Sequence, residues 1–335
     1  MSDTVVTQRR RLGKTGPEVS AIGLGCMSLS GVYGTSDDAA GIALIHRAIE
    51  LGVDHFDSSD MYGWGQNEEL LGRALKDRRD GIVIASKFGQ TRRPGGANGV
   101  DGSPAYIAQA CETSLKRLGV DTIDLYYQHR VDPAVPVEDT VGAMARLVEQ
   151  GKVRFLGLCE ARPDRIRRAH AVHPLAAVQT EFSLLYREEA TETRELTRDL
   201  GISFFAYAPL GRSLLAGVVP DLDNLDVGDT RGRHPRFMGD NFARNRRLVE
   251  HLEVIAAEKG CTPAQLALAW LLAQGPDVVP IPGSRRLARI AENAAAAGVV
   301  LTDDDLRGID RAVPRTAWAG DRRSFAAPAT ARRRS

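Results

Sequence analysis

At 335 residues, with 43% apolar and 26% charged side chains, the chain has enough apolar material for a sizeable core and does not have the composition of a disordered protein. Lysine plus arginine (44) nearly cancels aspartate plus glutamate (43), so there is no global basic field of the kind that holds nucleic acid or an anionic membrane; the expected partner is a small molecule. Neither a secretion signal nor the ~18-residue apolar run of a membrane span is present, and the expected location is cytoplasmic.

The four cysteines, Cys26, Cys111, Cys159 and Cys261, form no CxxC, and no histidines stand at metal-binding spacing. Neither a disulfide framework nor a metal site is expected.

In chain order, RRRLGKTGPEVS reads as a short hairpin able to plug a barrel floor. From residue 19 to about 297, eight apolar, β-rich runs then alternate with helix-period segments. The runs are 19–27, 55–59, 82–88, 123–129, 153–158, 176–182, 202–208 and 278–281. Several are almost continuously apolar, as parallel strands under a layer of helices should be. Ser36 is placed as the N-cap of the first helix, with Asp37 and Asp38 in its positive first turn. Ser103 and Pro104 open another helix, which Gly119 closes, and Thr262-Pro263 starts a further one.

Eight such units can close as a barrel or lie as an open doubly wound sheet. The first turn, GLGCMSLSG, does not read G-x-G-x-x-G, which favours the barrel. The expected fold is therefore α/β: one (β/α)₈ TIM barrel over 1–335, with an N-terminal β-hairpin, extra C-terminal helices and a loop and tail at 314–335. Residues 209–240 form a long Gly, Pro, Asp and Arg-rich loop, a candidate cofactor clasp.

Working residues of such barrels lie at the carboxyl ends of strands. Asp57, Lys87 and His129 stand at three consecutive ends, and Tyr62 lies in the loop after the first of them. A tyrosine hydroxyl titrates near ~10, and a nearby ammonium lowers that value, so Lys87 is expected to acidify Tyr62. Asp57 would hold the lysine charged, and His129 would orient a carbonyl oxygen toward which Tyr62 donates its proton. Singly, each has a plainer reading: a rim lysine, a loop histidine, a turn-capping aspartate, a rim aromatic. Their joint occurrence favours chemistry.

The runs FDSSDMYGWGQNEELLGRAL (56–75), SKFG (86–89), YYQHRVD (126–132) and GKVRFLGLCEA (151–161) strongly resemble the aldo-keto reductase superfamily, and the likeness extends to IPGSRRLARIAEN (281–293). It is similar to bacterial NADP-dependent members and to potassium channel β subunits. The resemblance implies NADPH (NADP) across the barrel mouth, a small carbonyl substrate, and Asp57, Tyr62, Lys87 and His129 as the catalytic tetrad. It further implies cofactor contacts from Gly25, Cys26, Met27, Asp57, Cys159, Glu160, Gln179, Tyr207, Pro209, Leu210 and Gly211. Gln179 would hold the nicotinamide amide and Tyr207 would stack on its ring. Ser284, Arg285 and Arg289 would take the 2′-phosphate, and Glu292 and Asn293 the adenine. A guanidinium fork suits a phosphate dianion. Met27, Trp64 and Phe88 would line the substrate pocket.

Three departures stand out. Cys159 and Glu160 occupy places where many members have serine and asparagine, Gly283 replaces a lysine of one branch, and Trp64 replaces a common proline. Trp64 would either wall the pocket or pack on a loop as a rim residue. Two rivals are a Schiff-base enzyme built on Lys87 and an NADPH-holding regulatory subunit with little turnover. Sequence leaves the oligomeric state open.

Overall fold

A computed structural model describes residues 6, 8–92, 98–217, 221, 222 and 224–322. The arginine-rich end of the expected tail lies outside these residues.

The chain opens with an antiparallel hairpin, β1 (Arg9–Arg11) and β2 (Glu18–Ser20). Eight parallel strands follow in one sheet: β3 (Leu24–Gly25), β4 (His55–Asp57), β5 (Val83–Phe88), β8 (Ile123–Gln128), β9 (Val153–Cys159), β10 (Leu175–Glu181), β11 (Ser203–Tyr207) and β12 (Val278–Pro280). Their spatial order follows the chain. The sheet curls until its first and last strands meet, where the Gly23 and Gly25 amides donate to the carbonyls of Pro280 (3.0 Å) and Pro282 (3.1 Å). Between β5 and β8 a short outer hairpin, β6 (Gln90–Arg92) and β7 (Asn98–Val100), departs from the simple alternation.

The helices are α1 (Asp38–Glu50), α2 (Gln66–Leu75), α3 (Pro104–Leu118), α4 (Val137–Glu149), α5 (Pro163–Val172), α6 (Glu188–Leu200), α7 (Gly239–Glu258), α8 (Pro263–Leu272), α9 (Leu287–Ala295) and α10 (Asp303–Ala312). β11 and β12 are each followed by two helices, α7–α8 and α9–α10, which makes the two helices beyond one per barrel strand. Helix signals in the sequence hold to within a residue. Ser103 caps α3 with Pro104 at its first position, Gly119 ends it in a left-handed turn, and Thr262 forms a capping box with Gln265. For α1 the cap is Asp37 rather than Ser36. Its carboxylate reaches two free amides with a separate oxygen for each, Ala39 (3.1 Å) and Ala40 (3.3 Å), and adds its negative charge at the positive helix end.

Strand alternation sorts the apolar side chains into two layers. Ala85, Leu125, Tyr127, Phe205 and Val279 fill the barrel interior, and Leu12 from the hairpin turn joins them, so the hairpin does plug the floor. Phe56, Ile84, Tyr126, Leu158 and Phe204 face the other way, against the helices. The first strand is shorter than the expected 19–27, because Val19 and Ser20 are spent in the hairpin.

Candidate active site

Strand alternation also sets the site. In β4 the outward Phe56 is followed by the inward Asp57, and the same alternation in β5 turns Lys87 into the mouth. Lys87 is fully buried. Its ammonium is ion-paired with Asp57 Oδ1 and donates to the Ser58 carbonyl at 2.7 Å and toward the Tyr62 hydroxyl at 3.4 Å. The other Asp57 oxygen accepts from Gln179 Nε2 at 2.7 Å. His129, one residue past β8, meets Tyr62 edge-on with ring centres 5.9 Å apart. Its Nδ1 lies 3.0 Å from Ser59 Oγ. The three residues singled out at strand ends and Tyr62 in the loop after β4 therefore converge.

Burial disfavours the Lys87 ammonium, but Asp57, with a smaller contribution from Tyr62, outweighs it and raises its pKa. Burial, then the nearby Arg130 and Lys87, hold His129 well below its ordinary value, so it is neutral. Tyr62 corrects the expectation of an acidified phenol. Burial pushes it up to about 12, with Lys87 pulling down against that push. Desolvating a phenolate costs more than one ammonium 3.4 Å away returns, so the hydroxyl stays protonated near neutral pH.

Across the mouth lies a second charged group. Glu160 is bound by Arg322 through both oxygens (3.0 and 2.6 Å) and accepts from the Tyr207 hydroxyl (3.0 Å). Glu181, on β10, receives Arg236 at 2.9 Å and has Arg322 at 3.6 Å. The Arg322 guanidinium also covers the Tyr186 ring at 4.4 Å. These contacts bring the C-terminal segment onto the ends of β9, β10 and β11. Arg130 donates to the His129 carbonyl (2.6 Å) and to Cys159 Sγ (3.2 Å), linking the two groups.

At the far rim, Ser284, Arg285 and Arg289 gather at the start of α9. No side chain caps that helix. Arg285 donates to the Thr35 carbonyl at 3.0 Å, and Arg289 pairs with Glu292.

The sequence pattern of the Aldo/keto reductase family matches residues 21–314. The chain belongs to that family. It is 47% identical over 314 residues to the "Probable aldo-keto reductase 1" of Glycine max, covering 93% of this chain and 90% of the relative. Among solved structures, the glycerol dehydrogenase AKR11B4 from Gluconobacter oxydans matches at a TM-score of 0.84 with 27% identity, covering 94% of this chain and 96% of the other. The holo form of aldo-keto reductase AKR11C1 from Bacillus halodurans matches at 0.77 with 28% identity, covering 92% and 97%.

Strain marks the same mouth in this aldo-keto reductase. Among the described residues, the five non-glycine positions with left-handed backbone are Trp64, Glu160, Ala208, Arg212 and Ser213, all in loops leaving the carboxyl ends of β4, β9 and β11. Gly211 sits among them at φ +56°, where a Cβ would fall 1.9 Å from Leu185 Cδ1.

Two expected pocket residues are elsewhere. Phe88 is fully buried in the outer layer, with its ring centre 5.1 Å from that of Tyr126. Because Lys87 points inward, its neighbour must point out. Trp64 stacks under the Arg92 guanidinium at 4.4 Å and borders an outer groove, the rim-residue alternative. Met27 is partly exposed next to Gly25, whereas the Cys26 side chain is buried. Of the expected cofactor contacts, Glu160 is engaged by Arg322, and Gln179 has its amide nitrogen committed to Asp57. Ser59, Arg130, Glu181 and Arg322 were not foreseen. Only Ser59 and Arg130 carried a signal, Ser59 lying two residues after Asp57 and Arg130 directly after His129.

Proposed function

We propose that this aldo-keto reductase reduces an aldehyde or ketone to the alcohol, with NADPH as hydride donor and Tyr62 as general acid. The observation that carries this is the Tyr62 hydroxyl 3.4 Å from the fully buried Lys87 ammonium, itself fixed by an ion pair with Asp57.

Tyr62 and His129 meet edge-on with ring centres 5.9 Å apart, so a carbonyl oxygen seated against both would accept a hydrogen bond from each. When bound, NADPH supplies the hydride that the carbonyl carbon accepts. As negative charge gathers on the oxygen, it becomes a far stronger base than a phenolate, and Tyr62 gives up its proton. The Lys87 ammonium then stabilises the resulting phenolate, and Asp57 keeps that ammonium charged and in place. The lysine therefore acts on the product of proton transfer more than on the resting acid.

The residues present suit a dinucleotide with an extra phosphate. The N-terminus of α9 has no side-chain cap and lies beside the Arg285 and Arg289 guanidinium groups, each 33% exposed, a donor set for a phosphate dianion, with the Ser284 hydroxyl held on the Arg286 backbone. Glu292 and Asn293 follow on the same helix. Gln179 keeps its carbonyl oxygen for a carboxamide, and Tyr207 offers a ring with its hydroxyl anchored on Glu160.

The test is loss of NADPH absorbance with a panel of aldehydes, ketones and open-chain sugars, run in parallel with NADH. Turnover of several carbonyls with preference for NADPH is expected. Tight NADPH binding without turnover of any carbonyl would favour the regulatory-subunit reading.

A further inference from the structure

We propose that Ser59 and Asp60 are positioning residues that decide which ring nitrogen of His129 carries its proton, and thereby whether the imidazole can hydrogen-bond a substrate carbonyl. This rests on the reading of His129 as the residue that orients that carbonyl.

Ser59 is fully buried, and its hydroxyl has one proton for three acceptors. His129 Nδ1 lies at 3.0 Å, Asp60 Oδ1 at 3.3 Å and the Lys87 carbonyl at 3.4 Å. The Met61 amide donates to the same oxygen at 3.4 Å. His129 is neutral, so only one of its nitrogens carries a hydrogen. If Ser59 donates to Nδ1, the ring proton sits on Nε2 and can serve a carbonyl oxygen. If Ser59 donates to Asp60 or to the Lys87 carbonyl, Nδ1 must carry the proton and donate to Ser59. Nε2 is then a bare acceptor that repels the oxygen it should hold.

Asp60 biases this choice because its charge can change. His129 is buried, but Asp60 borders an outer groove of about 400 Å³ between the loop after β4, the β6–β7 hairpin and α3, with Trp64, Arg92, Tyr106 and Arg117 among its walls. The charged and titratable groups facing it are Glu68 on α2, Arg117 and Tyr106 on α3, Arg92 on the hairpin, and His129 through Ser59. Burial, then Glu68, raises Asp60 to about 7, with the hydrogen bonds from Ser59 and Met61 and the charge of Arg117 acting the other way. Below that value the carboxyl is neutral and can donate to Ser59 Oγ, which turns the hydroxyl proton to Nδ1 and places the ring proton on Nε2. Above it the carboxylate draws the hydroxyl to itself, and Nδ1 must carry the ring proton. Asp60 then releases its proton to solvent, while the imidazole gives up the Nε2 hydrogen to solvent and takes one up at Nδ1, so His129 stays neutral in both states.

The experiment is a long-range ¹H–¹⁵N correlation on the full chain with labelled histidine, from pH 5.5 to 9. It is run on wild type, Asp60→Asn and Ser59→Ala, with His129→Asn to assign the signal and circular dichroism to confirm folding. In wild type the ring hydrogen should sit on Nε2 at acid pH and shift toward Nδ1 through neutrality. Asp60→Asn, whose amide can donate to Ser59 as the neutral acid does, should hold one tautomer, and Ser59→Ala should lose the pH response. The kcat for NADPH-linked reduction should fall roughly tenfold or more from pH 6 to pH 9 in wild type and less than about threefold in Asp60→Asn. One unchanging tautomer in wild type, or an Asp60→Asn response matching wild type, overturns the proposal. A tautomer shift in a protein that reduces no carbonyl would uphold the coupling and refute the reductase reading instead.

Discussion

The two ends of the barrel mouth hold charge in opposite ways. Around β4 and β5, Asp57 and Lys87 are 3% and 0% exposed at their side chains and are fixed by strand ends. At the start of α9, Arg285 and Arg289 are each 33% exposed and are held by a carbonyl and a helix neighbour. A buried pair has one geometry and a steep penalty for losing a partner. An exposed arginine keeps its freedom and gains modestly from each contact. The end proposed to place a proton is thus built from buried charge, and the end proposed to bind the cofactor's phosphate from exposed charge.

The largest expected effect tests the buried end. Lys87→Met leaves Asp57 charged and without its cation, so unfolding free energy should fall by about 3–5 kcal/mol and turnover by ~10²-fold or more. Urea denaturation and steady-state kinetics check this; a variant as stable as wild type would show that the pair is not what holds the site.

An intermediate effect belongs to the clasp between Glu160 and Arg322. Although burial opposes it, the Arg322 hydrogen bonds and charge, aided by Arg130, bring Glu160 down to about 2. A carboxyl depressed in the folded state stabilises above its unfolded pKa of ~4.3, and that stability is lost as pH falls through the folded value. The wild type should therefore lose stability between pH 5 and pH 2. Arg322→Gln should remove much of that slope and cost at most ~3 kcal/mol at pH 7. An unchanged acid slope would show that the clasp adds nothing to folding.

The smallest effect lies at the exposed end. Arg289→Ala should weaken NADPH binding by about five- to tenfold and leave NADH nearly unchanged, as measured by fluorescence titration. Equal losses for both cofactors would remove Arg289 from phosphate recognition.

How much of this was legible in the sequence follows the same division. The tetrad could be read because each member sits at or just beyond a strand end, and strand ends can be located from apolar runs alone. Phe88 was misplaced by ignoring the rule that placed Lys87, since adjacent residues on a strand face opposite sides. The clasp was invisible because Glu160 and Arg322 are 162 residues apart and only the closed barrel brings them together. The expected acidification of Tyr62 was misjudged because sequence reveals a neighbouring charge but not the depth of burial that outweighs it. The β6–β7 hairpin escaped because its short polar strands carry no apolar alternation.

The central claim is that Tyr62 is the proton donor, and Tyr62→Phe tests it most directly. The ring remains while the hydroxyl is lost, so kcat should fall by roughly 10²–10⁴-fold with the dissociation constant for NADPH almost unchanged. Turnover at the wild-type rate in that variant would contradict the account.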